Sequence, residues 1–463
     1  MLQDNAATAL PPLIAPGSPE DIVARIERLP ITSYHIKARV IIGSATIFDA
    51  YDSYAIATVM PVLIPLWHIP QGSIGPLIAS ANFGQLFGAL FFGWVADRIG
   101  RLRTLGVSIA LYALTSFACA FAQDYNTLMA LRFIEGLGLG GEVPVAAAYI
   151  GEMAKAKGRG VFFLLYESIF TLGLLMANLL SIYMVPHWGW QSMFIFGAVP
   201  AVVAVYLQWN LPESARWLAD KGRAKEADMV VTGIEQCARD AGQELPPPRA
   251  ITSVDLPRPG AWSELFSPFY RRRTFSVWAL WYCSYFCSWG ITGWAATIYT
   301  TVFKLNLQTA LWYGMGASVA SIIGGFVVAF LVDRTGRIKW FAGAFSCAAA
   351  LLFALWAIGP YSPEFVAVML ALSFLFIGSN SSMLFLYTAE IYPTRLRARG
   401  TSAGTAFNRL ASTVGPPIVG VMLAGFGLAS VYLLLSLVAL TGALVAVFFG
   451  VETRERVMEE VSP

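Results

Sequence analysis

Gly93-Trp-Val-Ala-Asp97-Arg98-Ile-Gly100-Arg101-Leu-Arg103 and Ala329-Phe-Leu-Val-Asp333-Arg334-Thr-Gly336-Arg337-Ile-Lys339 are two copies of one phrase, Asp-Arg-x-Gly-Arg, placed one in each half of a 463-residue chain. Each copy reads as a tight basic turn between two apolar runs of membrane length. A loop duplicated in this way implies a duplicated bundle. A duplicated helical bundle in a bilayer is a body plan common among transporters.

Composition agrees with a membrane setting. The chain is 57% hydrophobic and only 13% charged, with a mean hydropathy of +0.62. Soluble domains carry roughly 25% charged residues, so this balance excludes an ordinary water-soluble core. Runs of about 20 apolar residues recur, each able to cross a hydrocarbon layer of ~30 Å. Cys119, Cys237, Cys283, Cys287 and Cys347 are scattered without metal-ligand spacing, and no disulfide is expected. The first 35 residues contain no apolar signal-peptide core, so no cleavable leader is expected. Within them, residues 19–28 read as a short amphipathic helix.

Twelve spans are expected, near 38–65, 73–97, 103–122, 127–153, 160–185, 190–211, 275–302, 308–333, 339–359, 363–390, 399–425 and 428–450. They divide the chain into an N-terminal segment (1–35), a six-helix bundle (36–211), a linker with surface helices (212–273), a second six-helix bundle (274–450) and a tail (451–463). The basic loops fall on one side: Arg98/Arg101/Arg103, Lys155/Lys157/Arg159, Arg271/Arg272/Arg273, Arg334/Arg337/Lys339 and Arg395/Arg397/Arg399. The opposite loops offer Lys304. Basic loops stay in the cytoplasm, which places both termini there.

The repeat also reaches the ends of spans 4 and 10. Glu152 precedes Arg159, and Glu390 precedes Arg397, by the same seven residues. An acid at a helix C-terminus opposes the helix dipole and needs a cation. Glu152, Arg159, Glu390 and Arg397, with Asp97, Arg98, Arg101, Asp333, Arg334 and Arg337, read either as gates that break during a cycle or as a static topology-setting cluster. Gly84 and Gly88 in span 2, and the Gly136–Gly141 run in span 4, suit close helix packing.

These motifs resemble the major facilitator superfamily. The paired turns look like its signature loops. Arg132-Phe-Ile-Glu-Gly136-Leu-Gly138-Leu-Gly140 is similar to its fourth-span pattern, and Pro212-Glu213-Ser214-Ala-Arg216-Trp217-Leu218 resembles a phrase of its sugar porters and organic-ion relatives. Asp49-Ala-Tyr-Asp52, Gly140-Gly-Glu142-Val-Pro144 and Tyr387-Thr-Ala-Glu390-Ile-Tyr-Pro393 are most similar to metabolite:proton symporters of the niacin and aromatic-acid type. The resemblance implies an all-α membrane protein of twelve helices in two pseudo-symmetric six-helix bundles. It also implies alternating access in a bacterial inner membrane, driven by the proton gradient with no cofactor. The expected partners are a small-molecule substrate, protons and lipid, with no nucleic acid, in a protein that works as a monomer.

Charge inside a bilayer is costly, at least ~2.5–3.5 kcal/mol per group at mid-helix, so intramembrane charges point to a chamber. They are Asp49 and Asp52 (span 1), Arg132, Glu135 and Glu142 (span 4), Glu167 (span 5) and Arg409 (span 11). Asp49 and Asp52 share a helix face, and two such carboxylates repel when both are ionised, which suits one of them to carry a proton. Asp52 is the deeper. It lies level with Arg132, so a pair that breaks on protonation and a static pair both stand, with Glu135 a competitor for the arginine. Arg409 is either a clamp for a carboxylate or a partner of Glu167 or another acid. Span 7 carries an aromatic stripe. Tyr285 and Trp289 are its deep members, placed either to stack on a planar ligand or to pack. Asn178, Asn380, Gln85 and Tyr387 are further polar candidates. The expected function is proton-coupled symport of a small organic acid such as nicotinate or a benzoate. The rivals are carriage of a sugar or organic cation by the same fold, including efflux, and a receptor that binds without transporting. Nothing in the sequence suggests an enzyme.

Overall fold

The computed structural model describes residues 18–153, 159–248, 261–359 and 362–454. The helices are α1 (Pro19–Arg28), α2 (Ser33–Leu66), α3 (Gln71–Ile99), α4 (Arg101–Cys119), α5 (Tyr125–Met153), α6 (Arg159–Trp188), α7 (Gln191–Gly197), α8 (Pro200–Asn210), α9 (Ala215–Asp220), α10 (Ala224–Asp240), α11 (Arg271–Thr292), α12 (Ala295–Thr301), α13 (Leu307–Thr335), α14 (Arg337–Ile358), α15 (Pro363–Ile391), α16 (Thr394–Phe426) and α17 (Leu428–Phe449). Twelve crossings result, because α7 with α8 and α11 with α12 each make one broken span. Pro200 opens α8; it lacks an N–H and suits the first turn of a new helix. Eleven of the spans are apolar enough to be assigned to a membrane by length and composition alone. The seventh is not, because its Trp, Tyr and Ser content and its break at Gly293-Trp294 dilute the signal.

The duplicated turn has a physical reason. Gly100 and Gly336 adopt φ of +113° and +91°, a region that favours glycine. A Cβ at either would also run into a carboxylate, Glu213 or Glu452 respectively. Those carboxylates cap the following helices. Glu213 accepts from the N–H groups of Arg101 and Leu102, both at 2.9 Å. Glu452 accepts from Arg337 at 2.9 Å and Ile338 at 3.1 Å. An acid at a helix start satisfies orphan donors and matches the dipole. The repeat thus extends to Glu213-Ser214 and Glu452-Thr453.

Glycines set the closest helix approach. A Cβ on Gly84 or Gly88 would enter the α5 backbone at Phe133 and Leu137, and one on Gly136 or Gly140 would enter α3 at Ala81 and Gln85. Without side chains between them, α3 and α5 meet backbone to backbone.

The two halves meet where α3 packs on α16, α6 on α13 and α2 on α12. Tyr54 and Trp289 stack with ring centroids 4.6 Å apart and planes within 4°. Asn178 Nδ2 donates to Ser318 Oγ at 3.0 Å, and Asn82 Nδ2 to the Ser412 carbonyl at 3.4 Å. These contacts lie in the parts of the helices remote from the basic turns.

At the basic end, α1 docks on α9 and α10. Ile22 and Ile26 bury against Trp217, Leu218, Ala227 and Val231. Arg25 pairs with Glu235 at 3.0 Å and Asp228 at 2.5 Å, and Arg28 with Glu235 at 2.7 Å. Burial pushes the Glu235 carboxyl up, but hydrogen bonds from Arg25 and Arg28 outweigh it and hold it below the usual range. Helices α1, α9 and α10 therefore form one small cap.

Candidate functional site

Two buried charge clusters flank α2. The first lies at mid-depth and joins the halves. Thr46, Asp49 and Ser53 form one stripe of α2, by their spacing of three and four. Ser53 Oγ donates to Asp49 Oδ1 at 3.5 Å and accepts from Gln85 Nε2 at 3.3 Å. Gln85 Oε1 in turn accepts from Arg409 Nη1, a bond from α16 across to α3. Glu142 Oε1 accepts from Thr46 Oγ1 at 2.9 Å. Asp49 and Glu142 lie within hydrogen-bonding reach of one another, and the charge of Arg409 acts on both. Asp49 is 3% exposed and Glu142 fully buried, while Arg409 is half-buried. The α3–α5 glycine contact fixes Gln85 and Glu142, which sit beside Gly84 and Gly141.

The second cluster is sealed inside the N-terminal half. Arg132 Nη1 donates to Asp52 Oδ2 at 3.0 Å and to Glu135 Oε2 at 2.7 Å, and Nη2 to the Asp52 carbonyl at 3.2 Å. Ser116 Oγ donates to Asp52 Oδ1 at 2.9 Å, and Cys119 Sγ approaches Glu135 at 3.6 Å. Asp52, Arg132 and Glu135 are all 0% exposed. Three residues turn a helix by ~300°, which leaves Asp49 and Asp52 about 60° apart around α2. That offset sends one to the centre and the other into its own half.

The remaining sequence-selected residues are spread more widely. Trp289 gives one face to Tyr54, and Asn178 is engaged with Ser318. Tyr285 is half-buried and stacks on Trp281, with centroids 5.6 Å apart. Asn380 is fully buried, and neither atom of its amide has a hydrogen-bond partner. Tyr387 sits at the basic end, where its hydroxyl donates to the Val451 carbonyl at 3.2 Å and accepts from the Val451 N–H at 3.0 Å. The side chains of Glu167, Arg159 and Asp333 lie outside the described residues.

At the basic end, each acid finds an arginine in the duplicated turn. Arg101 binds Asp97 at 2.5 Å and Glu152 at 3.0 Å, and Ser214 also donates to Glu152. Arg337 binds Glu390 through Nε at 3.1 Å and Nη2 at 2.8 Å, and Thr453 donates to the same carboxylate at 2.5 Å. The seven-residue spacing from Glu390 leads elsewhere, since Arg397 Nε donates to the Ala389 carbonyl at 2.9 Å. Arg98 lies over the Trp94 ring at 3.7 Å, and the Arg334 carbonyl accepts from Arg454 at 2.5 Å. Sequence reasoning did not give Ser214, Glu452 and Thr453 a place in these networks. The parallel phrases Glu213-Ser214-Ala-Arg216 and Glu452-Thr453-Arg454 carry the signal.

A profile of the sugar (and other) transporter family matches residues 49–463. The chain is 33% identical over 445 residues to the niacin transporter NiaP of Acinetobacter baylyi, across 95% of this chain and 99% of that protein. It is 28% identical over 413 residues to the 4-hydroxybenzoate transporter PcaK of Pseudomonas aeruginosa, across 88% and 90% of the two chains. A crystal structure of a D-xylose–proton symporter shares the fold, with a TM-score of 0.70 at 17% identity over 92% of this chain and 100% of that one. A duplicated twelve-helix body with charge between its halves thus has a family: the chain belongs to the sugar (and other) transporters of the major facilitator superfamily and is a multi-pass membrane transporter.

Proposed function

We propose that the protein is a proton-coupled symporter of a small aromatic carboxylate such as nicotinate or a benzoate, working by alternating access as a monomer in a bacterial inner membrane. The basic end and both termini face the cytoplasm, in keeping with the positive-inside rule. The observation that carries this reading is Arg409, a half-buried guanidinium at mid-depth, held by Gln85 beside two buried acids. A guanidinium matches a carboxylate in a paired geometry, and the adjacent acids answer its arrival by taking a proton. The relatives named for niacin and 4-hydroxybenzoate carry planar rings bearing a carboxyl group, which fits the same clamp. Tyr285 and Asn380 supply a stacking surface and unspent hydrogen-bonding capacity in the C-terminal half. The Asp52–Arg132–Glu135 cluster braces α2 against α5. The Arg101–Glu152 and Arg337–Glu390 networks lock the cytoplasmic ends of their bundles and loosen as the halves rock. The proton gradient is the only energy source, and no cofactor takes part.

The test is uptake of a labelled panel of carboxylates, sugars and organic cations into proteoliposomes, with and without an inward proton gradient. Gradient-driven accumulation of an aromatic monocarboxylate, collapsed by a protonophore, is expected. Gradient-driven uptake of a sugar or an organic cation, with no carboxylate carried, contradicts the proposal.

A further inference from the structure

The duplicated body permits an internal comparison. The first spanning helix of each half starts at the basic end, α2 in one and α11 in the other. Protein covers the start of α2: Leu29 and Ile234 are buried in one cluster with Ala38 and Ile41, and α10 packs on α2. The start of α11 carries a short 3-10 turn (Trp262–Phe266) instead. That turn touches α11, where Thr274 Oγ1 donates to the Leu265 carbonyl at 2.9 Å, and α16, where Arg399 lies over the Trp262 ring at 6.0 Å. Trp262, Phe266, Phe269 and Phe275 are exposed here, as are Phe448 and Phe449 at the end of α17.

Arginines stand among these rings without acids to neutralise them. Arg25 and Arg28 are held by Glu235, Arg101 by Glu152 and Arg337 by Glu390. Arg271, Arg272 and Arg399 have no carboxylate within ion-pair distance among the described residues. Arg271 and Arg272 are exposed. Arg272 lies over the Phe449 ring at 5.4 Å and donates to the Phe448 carbonyl. Arg399 is half-buried, and its Nη1 is buried with no hydrogen-bond partner. Glu264, the acid of the turn, accepts from the Ala261 N–H at 2.8 Å.

Exposed rings beside long basic side chains mark the membrane–water boundary. Rings settle at headgroup level, and basic side chains extend along apolar surface to reach the phosphate layer. A guanidinium meets a phosphate through paired N–H donors, and one without a carboxylate has that capacity unspent. We infer that the start of α11 is a binding site for an anionic phospholipid, its phosphodiester held by Arg271, Arg272 and Arg399 and its acyl chains lying over Phe266 and Phe275. A zwitterionic lipid carries its own cation beside the phosphate, so the site selects a headgroup of net negative charge. It lies where the linker enters the C-terminal half, apart from Asp49 and Arg409, and does not depend on what the carrier transports.

Native mass spectrometry of the purified full chain, from micelles doped equally with phosphatidylglycerol and phosphatidylcholine of the same chain length, reads the lipid retained. The unaltered protein is expected to keep phosphatidylglycerol in preference to phosphatidylcholine. Each arginine is expected to contribute about fivefold in affinity. Arg271→Gln should weaken retention by about that factor, and Arg271→Gln/Arg272→Gln/Arg399→Gln should abolish the preference. Arg103, Lys221 and Lys225 are exposed basic residues of the same end, and their joint change to Gln is the charge-matched control, expected to leave the preference intact. Equal retention of the two lipids by the unaltered protein overturns the site. So does a preference that survives the triple arginine variant, or a control that loses as much as that variant, which would mean diffuse attraction to the basic end. Displacement of the lipid by soluble glycerol phosphate at matching concentration would make the ligand a free phosphate compound and contradict the lipid assignment. Where the triple variant does not fold, Arg271→Gln decides, since that side chain is exposed and unchanged retention in it counts against the site. No transported substrate enters the measurement, so its failure leaves the symport reading untouched.

Discussion

Asp49 and Asp52, one turn apart on α2, serve different arginines: Asp52 accepts from Arg132 at 3.0 Å inside the N-terminal half, whereas Asp49 lies under the charge of Arg409 between the halves. One helix thus couples a sealed ion pair to a site at the interface. The two clusters differ in what a substrate can reach, since Arg132 is 0% exposed and Arg409 is half-buried.

Removing Arg132 strands Asp52 and Glu135 without a cation. Breaking a buried pair costs about 3–5 kcal/mol. Arg132→Met is expected to lower the thermal unfolding midpoint in detergent sharply, and Arg132→Lys to recover only part of the loss, because one ammonium cannot reproduce bonds from two guanidinium nitrogens. A midpoint equal to the parent in Arg132→Met would show that the cluster contributes nothing to stability.

The Tyr54–Trp289 stack joins the two halves on the side remote from the basic turns. Aromatic pairs contribute roughly 0.5–1.5 kcal/mol beyond area burial, or about a two- to tenfold change in population. Tyr54→Ala is expected to raise the fraction open at that end by such a factor. Spin labels placed near Trp67 and Lys304 would report it as a longer-distance population, and an unchanged distance distribution would count against the stack as a latch.

The turn glycines differ from their neighbours. Gly100→Ala and Gly336→Ala place a side chain at positive φ and against the capping carboxylates of Glu213 and Glu452. Each is expected to destabilise by more than the ~1 kcal/mol typical of a compatible Gly/Ala exchange. Gly93→Ala, inside α3 where a Cβ meets open space, is the control and should be neutral or stabilise by up to about 1 kcal/mol. Equal melting temperatures for all three variants would remove the cap from the explanation of the repeat.

Docking of α1 depends on an ionised Glu235. Its folded-state carboxyl is held below the usual range. The docking contribution is therefore fully present above the ordinary glutamate value of ~4.3 and fades as pH falls through the lower folded-state value. Hydrogen exchange in α1 should stay slow through neutral and mildly acid pH and quicken in strong acid. Glu235→Gln should quicken it at every pH. Slow exchange in Glu235→Gln at neutral pH would mean that the Ile22 and Ile26 contacts suffice.

Much of the architecture was legible because it is written in hydropathy and repetition. The paired Asp97-Arg98 and Asp333-Arg334 turns required a duplicated bundle, and the apolar runs placed eleven spans that the structure also marks as apolar. The broken seventh span was read in series with the other eleven, although its aromatic and polar content makes it less apolar than they are. The candidate site was legible as a set of costly charges but not as a geometry. Spacing put Asp49 and Asp52 on one face; it could not say that the 60° between them leads to separate partners. Nor does it tell that Glu142 of α5 stands beside Asp49 of α2. Nor does it tell that Arg337, distant in sequence, holds Glu390, or that Arg397 reaches the Ala389 carbonyl.

The most direct measurement is accumulation of a labelled aromatic carboxylate by proteoliposomes containing Asp49→Asn/Glu142→Gln, read both under an inward proton gradient and as exchange at equal pH. With the central acids neutralised, gradient-driven accumulation should disappear while exchange through the Arg409 site continues. Undiminished accumulation under the gradient would contradict a proton site beside Arg409.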